Sequence, residues 1–248
     1  MSAKGQTAGS SDPRVRQFHS KRFSLRTGEA PDLSRASGDS GFVAHLTACT
    51  HGATGWDWSF RLVKGGGEWA FISDGRLSVF VDEPGQYVPS DAKPGDQVAL
   101  RLPRARENLY PHRFTLNGGQ GPVVVGQNFT KFFLSFPYTG ASSLVETFAS
   151  KLGDQLRFSL AVSNSPLDFD KADAAVLDVG VNDLGGVVKV LEAFLAANPK
   201  LFVARGQPHG TVRGPLGLPT ATGTSRADVA DGFGWKRAVE AVAAGLGG

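Results

Sequence analysis

KFFLSFPYTGASSLVETFASKLGDQLRFSLAVSNSPLDFDKADAAVLDV, residues Lys131–Val179, is the stretch that decides the fold. KFFLSF (Lys131–Phe136) is a strand-like run rich in aromatics. In ASSLVETFASKL (Ala141–Leu152), Leu144, Val145, Phe148 and Leu152 recur at helical spacing on one face. LRFSLAV (Leu156–Val162) alternates as a strand does, with Phe158, Leu160 and Val162 on one side. A polar turn around Asn164, Pro166 and Asp168 leads to a second apolar strand, AAVLDVG (Ala174–Gly180). Asp183 is placed to cap an amphipathic helix carrying Leu184, Val187, Val188, Leu191, Phe194 and Leu195. The order β-α-β-β-α predicts a sheet with helices packed on one side.

Upstream, WDWSFRLV (Trp56–Val63), EWAFIS (Glu68–Ser73) and RLSVFV (Arg76–Val81) read as short strands separated by Gly65–Gly67 and by Asp74-Gly75, a hairpin signal. DQVALRL (Asp96–Leu102) and HRFTLNG (His112–Gly118) continue the series, punctuated by Pro and Gly. The expected fold class is α+β: a five-stranded antiparallel meander beside the β-α-β-β-α unit, with a C-terminal helix. Three regions follow: a flexible basic N-terminal segment (1–40), an antiparallel β region (41–125) and an α+β region (126–248). The glycine-rich GGG and NGGQG (Asn117–Gly121) lack the Lys-Ser/Thr of a phosphate-cradling loop and read as turns.

The chain has 248 residues, 41% hydrophobic and 20% charged, enough to bury a sizeable core. No run approaches the roughly 18 apolar residues of a membrane span, and the N-terminus lacks the apolar segment of a secretory signal. A cytoplasmic location is expected. The single Cys49 excludes an internal disulfide framework and any multi-cysteine metal site; a packed structural role is the expectation for it. Between Met1 and Arg26 six Lys or Arg face one acidic residue, Asp12. Basic runs interleaved with stacking aromatics do not recur later, so no nucleic-acid partner is expected, and no membrane.

After Pro199 comes a long Gly-, Pro- and Thr-rich loop containing Arg205, His209, Arg213 and Arg226. A loop of this length inside a compact domain is usually functional. From Asp231-Gly232 a last helix is expected to carry Trp235, Ala238, Val239, Val242 and Leu246 toward the core. That helix brings Arg226, Lys236 and Arg237 together near its N-terminus, a natural place for an anion.

This tail also carries a resemblance. Pro215-Leu216-x-x-Pro219-x-Ala221-x-Gly223, then Phe233-Gly234-x-x-Arg237 and an apolar helix, resembles the HopA-type effector-like family. Its members act as phospho-Ser/Thr lyases in class V lanthipeptide and thioamitide biosynthesis. GWDWSF (Gly55–Phe60), PGDQVALRLPR (Pro94–Arg104), KFFLSF, LRFSLAV and ADAAVLDV (Ala172–Val179) are similar to the family's other blocks, in the same order. The resemblance spans about residues 50 to 246 and implies a lyase-like scaffold.

The departures bear on activity. The lyases carry a lysine base in the strand matching LRFSLAV, and by register that position falls on Ala161. The family's Arg-x-Asp-Ala-Ala-Val-Leu-Tyr block lacks its Arg and Tyr here, reading Lys171-Ala172-Asp173-Ala174-Ala175-Val176-Leu177-Asp178. Where many relatives place a His after the Phe-Gly, this chain has Trp235 and Lys236. Elimination of phosphate needs a base, a proton donor and cations for the leaving group; cations remain, and the base does not. The expectation is therefore metal-free thioether cyclisation of a class V lanthipeptide, by Michael addition of Cys to a dehydroamino acid. One Cys and five scattered His lack the zinc site of the familiar cyclases, and no cofactor is expected.

His112 and His209 are candidate general bases or acids, and Tyr138 a candidate proton donor to an enolate. Lys131, Arg213, Arg226, Lys236 and Arg237 are candidate substrate-binding cations. The implied partners are a precursor peptide and a kinase or lyase of the same pathway. Two other readings stay open: a phospho-Ser/Thr lyase in which Lys131 or Lys171 takes over as base, and a non-catalytic module binding the precursor or a partner enzyme.

Overall fold

The computed structural model describes residues 13–23, 38–75, 77–83, 85–110, 112–124, 126–152, 155–202 and 206–223, together with positions 238, 240 and 242. The chain begins with helices α1 (Pro13–Arg22) and α2 (Ser40–Ala48), the latter capped by the Asp39 carboxylate accepting from Phe42 N at 2.9 Å. Six strands follow: β1 (Thr54–Gly66), β2 (Trp69–Ser73), β3 (Ser78–Val81), β4 (Tyr87–Val88), β5 (Gln97–Pro103) and β6 (Ala105–Tyr110). Next come β7 (Arg113–Asn117), β8 (Phe129–Leu134), α3 (Ala141–Lys151), β9 (Phe158–Ser163), β10 (Ala175–Gly180) and α4 (Leu184–Ala197). Two short strands, β11 (Val212–Arg213) and β12 (Pro219–Gly223), complete the described elements of the main body.

The strands form two antiparallel sheets, one of order β3-β2-β1-β5-β4 and one of order β11-β12-β8-β10-β9-β7-β6. The fold is α+β, and β8-α3-β9-β10-α4 is the predicted central unit. Period-2 alternation sends Phe132 and Leu134 of β8, Phe158, Leu160 and Val162 of β9, and Leu177 and Val179 of β10 to one face. There they meet Leu144, Val145 and Phe148 of α3 and Val187, Leu191 and Phe194 of α4 in one core. Each such side chain contributes about 1.5–3 kcal/mol by leaving water. The smaller sheet packs its own cluster, Phe60, Leu62, Ala70, Ile72, Val98 and Leu100 among it. Its outer face leaves Trp69, Phe71 and Phe80 exposed and in mutual ring contact.

Several expectations change. The strand at His112–Gly118 belongs to the seven-stranded sheet, where β7 pairs with β9. The remaining upstream strands are not a sequential meander, because β5 pairs with β1 and places it at the centre. Within the tail, β12 adds to β8 as a real strand in what reads as loop. Asp183 stands at the α4 N-cap, yet its side chain makes no capping bond. Inside the expected flexible N-terminal segment, α1 is helical, and its Val15, with Phe23, packs on Ala238 and Val242. Those two residues lie in the expected C-terminal helix; its Trp235, Val239 and Leu246 lie outside the described residues.

One buried cation joins the layers. Arg104, 2% exposed, sits at the bend between β5 and β6, where the chain passes from one sheet to the other. Its Nε donates to Asn117 O at 2.8 Å, and its terminal nitrogens donate to Ala149 O and Phe148 O in the last turn of α3. The guanidinium also rests 5.8 Å from the Phe158 ring centroid. Nearby, a Cβ on Gly118 would stand 2.2 Å from Leu156 O, so only glycine lets this loop lie against the start of β9.

Arg104→Met is expected to lower unfolding free energy by about 3–5 kcal/mol, since it strands buried carbonyls. Arg104→Lys should recover little of this, because a point ammonium does not reproduce the planar fork. Urea denaturation followed by circular dichroism reads both values.

Candidate functional site

Alternation that sends apolar side chains to the helices sends polar ones to the opposite face of the large sheet, and there they are buried. Asn117 of β7 pairs with Ser159 of β9, Ser159 with Asp178 of β10, Asp178 with Lys131 of β8, and Lys131 with Ala221 of β12. Asn117, Ser159, Asp178 and Lys131 are each under 5% exposed. The Lys131 ammonium donates to Asp178 Oδ1 at 2.6 Å and lies 5.5 Å from the Phe129 ring centroid. Isolated charges at such depth are strongly disfavoured, and pairing at hydrogen-bond distance is what makes this one tolerable. In the next row Thr115, Ala161, Val176 and Phe133 align across the same strands. Thr115 Oγ1, Asn117 Oδ1 and Ser135 Oγ find no hydrogen-bond partner among the described residues.

Toward the β9–β10 turn, charge is denser. Arg113 at the start of β7 donates to Asp173 Oδ2 at 2.9 Å, to Asp173 O at 2.7 Å and to Ser163 Oγ at 3.3 Å. Lys171 donates to Asp168 Oδ2 at 3.2 Å. Burial by itself would raise the Asp173 carboxyl, but the charges of Lys171, Arg113 and His19 outweigh it, with a backbone hydrogen bond adding to them. The net result holds that group below the usual carboxylate range.

The predicted site residues fall on several different elements. Lys131 is an inward partner of Asp178, the residue standing where the family resemblance would have a tyrosine. Ala161, the position implied for the lyase lysine, shares the Lys131 face but lies two strands and one row away, about 12 Å by strand geometry. Arg213, on β11 at the sheet edge, is exposed. His112 occupies the β6–β7 turn with a left-handed φ of 61°, its carbonyl accepting from Asn164 N. Tyr138, 49% exposed, follows β8 and meets Phe42 edge to face. His209 is exposed, its amide donating to Arg22 O at 2.9 Å and its ring edge on Phe23. The three candidate catalytic side chains stand on three different segments, and Arg226, Lys236 and Arg237 lie outside the described residues.

Cys49 is half-buried against the core, where burial and the Glu146 carboxylate push its thiol up despite a hydrogen bond with Ser142. It is a packed thiol, not an activated nucleophile. Among the described residues no group of three or more His, Cys, Asp or Glu is placed to hold a metal ion. None of their helices is long and apolar enough to cross a membrane.

Sequence reasoning missed two features. The Lys131–Asp178 pair joins residues 47 apart and has no local pattern. A crevice of about 240 Å³ opens at the far end of the sheet, where β8 begins and β10 ends, flanked by the loop after β7. The signal for it was NGGQG, read as a turn, whose Gln120 lies on the crevice wall.

No protein-family model matches the chain, and no curated protein matches it significantly. Two solved structures overlap it in part, both effector proteins of Pseudomonas syringae. That of pathovar tomato has a TM-score of 0.38 at 19% identity, covering 56% of this chain and 55% of that one. The chain therefore spans about half the length of that effector. That of pathovar syringae has a TM-score of 0.46 at 14% identity, covering 93% of this chain and 86% of that one.

Lys131→Met or Asp178→Leu alone is expected to cost about 3–5 kcal/mol, and the double variant to regain most of the loss. A double-mutant cycle in urea checks this. The Asp173 carboxyl contributes stability that is fully present above its unfolded value near 4 and is lost as pH falls through its lower folded value. Wild-type protein should therefore lose stability more steeply than Asp173→Asn on acidification below about pH 4, read as urea midpoints against pH.

Proposed function

We propose that this protein holds a dehydrated, cysteine-containing precursor peptide and promotes metal-free thioether closure, in peptide natural-product maturation of the class V lanthipeptide type. The observation that carries the reading is the pairing of the basic groups on the polar face of the sheet. Lys131 with Asp178, Lys171 with Asp168 and Arg113 with Asp173 are each in an ion pair of 3.2 Å or less. An ammonium donating to a buried carboxylate does not serve as the base that removes an α-proton. Nor do paired cations serve a dianionic leaving group well. Elimination of phosphate thus lacks a free base at Lys131 and Lys171, the lysines proposed as substitute bases.

Ring closure has different needs. The substrate thiolate attacks Cβ of the dehydroamino acid, the new C–S bond pushes the alkene pair into an enolate, and Cα then takes up a proton. An unperturbed thiol has a pKa near 8.5, so little thiolate is present at pH 7. Aligning thiolate and alkene in one groove can remove roughly 7–11 kcal/mol of barrier through positioning alone. We assign the proton delivery to His209, whose ring is exposed while its backbone is tied to α1. The block order resembling the HopA-type lyases supports a peptide substrate of this class.

Incubated at pH 7 with a dehydrated precursor bearing one Cys, the protein should speed loss of free thiol with no change in mass and no effect of chelator. His209→Ala should slow this at least tenfold, about 1.4 kcal/mol of barrier. A phosphorylated precursor should release no phosphate; its release, abolished in Lys131→Met or Lys171→Met, would restore the lyase reading. Tight peptide binding with thiol loss at the buffer rate would leave a binding module.

A further inference from the structure

The crevice at the β8–β10 end of the large sheet has a wall rich in Asn and Gln. Five carboxamide-bearing residues line it, Gln120, Gln127, Asn128, Gln155 and Asn182, together with Arg157 and Asp183. Val123 and Phe129 form its floor, both buried. The geometry points to a binding site for a short, uncharged stretch of extended peptide main chain, an inference that rests on the peptide-maturation reading and gives that peptide a place.

The ligand class follows from the wall. A carboxamide carries both a carbonyl acceptor and N–H donors, so it can answer either the N–H or the C=O of a peptide group without selecting a charge. Arg157 and Asp183 balance each other, so neither an anion nor a cation is favoured overall. Arg157 Nε donates to Gln120 O at 3.2 Å, which keeps the fork at the wall. Among the described residues its terminal nitrogens donate to nothing, and Asp183, although at the α4 N-cap, makes no capping bond. A sugar ring would want an exposed aromatic face to stack on; Phe129, the aromatic of the lining, is 2% exposed. At about 240 Å³ the space is just below the usual range of small-molecule pockets, which suits a segment of two or three residues.

Position adds to the case. Gln120 Oε1 accepts from Trp58 Nε1 at 3.4 Å, so the crevice lies where the two sheets meet and one wall is tied to the smaller sheet. Phe129 joins the crevice to the buried row, since its ring lies beside the Lys131 ammonium.

Trp58 is also the reporter. In ¹⁵N-labelled full-length protein the Trp58 indole N–H resonance, assigned by loss in Trp58→Phe, is followed during titration with N-acetyl-Ala-Ala-Ala-amide, inorganic phosphate and glucose. Saturable movement with the capped tripeptide alone is expected, weakened at least fivefold in the surface variants Asn182→Leu and Gln155→Leu. Movement with phosphate or glucose but not peptide, or with none of the three, overturns the inference. So does Asn182→Leu that loses the tripeptide yet closes the precursor ring at the wild-type rate, an outcome that leaves the functional proposal intact. Tripeptide binding in a protein that never accelerates ring closure does the opposite: the site stands and the closure proposal falls.

Discussion

A guanidinium that has been taken out of water must find acceptors, and Arg104 finds them on two different layers, a strand and a helix. Its position on the bend between β5 and β6 means that the strand leaving the smaller sheet enters the larger one with a charge already committed to Asn117, Phe148 and Ala149. The loop after β7, the C-terminal turn of α3 and the ring of Phe158 are thereby set relative to one another. The two sheets meet at a corner held by one side chain and by glycines such as Gly118, whose neighbours allow no Cβ. The crevice takes its shape from this corner, because Gln120 lies two residues after Gly118 in the same loop.

The large sheet has two faces with different physics. One buries aromatic and aliphatic side chains under three helices and needs only volume and shape. The other buries Lys131, Asp178, Asn117, Ser159 and the cluster around Asp173, and every charge there depends on a partner of opposite sign. Pairing makes that face stable and at the same time withdraws its cations from chemistry. Asp178 is the group that engages Lys131.

Much of the fold was legible in the chain because it rests on local periodicity. The central β-α-β-β-α unit shows period-2 strands around a period-3.6 helix, and its residues fall on the core face as that pattern requires. Asp74-Gly75 marked the β2–β3 hairpin for the same reason, since turn geometry there follows from two residues. The sheet to which β7 belongs was not legible, because an alternating strand reads the same beside either neighbour. Nor was β12, whose Pro, Thr and Gly give no apolar alternation and which is a strand only because β8 offers it an open edge.

What the amino-acid sequence determined by itself was therefore the inventory of elements, the face each buries and the residue types available for chemistry. Only tertiary structure decided the pairings: Lys131 with Asp178, Arg113 with Asp173, and Arg104 with the end of α3. Helical and strand periods are written within a few neighbouring residues, whereas an ion pair across two strands joins positions 47 apart. Its existence depends on sheet register and on how far each group is removed from water, and both are properties of the assembled chain.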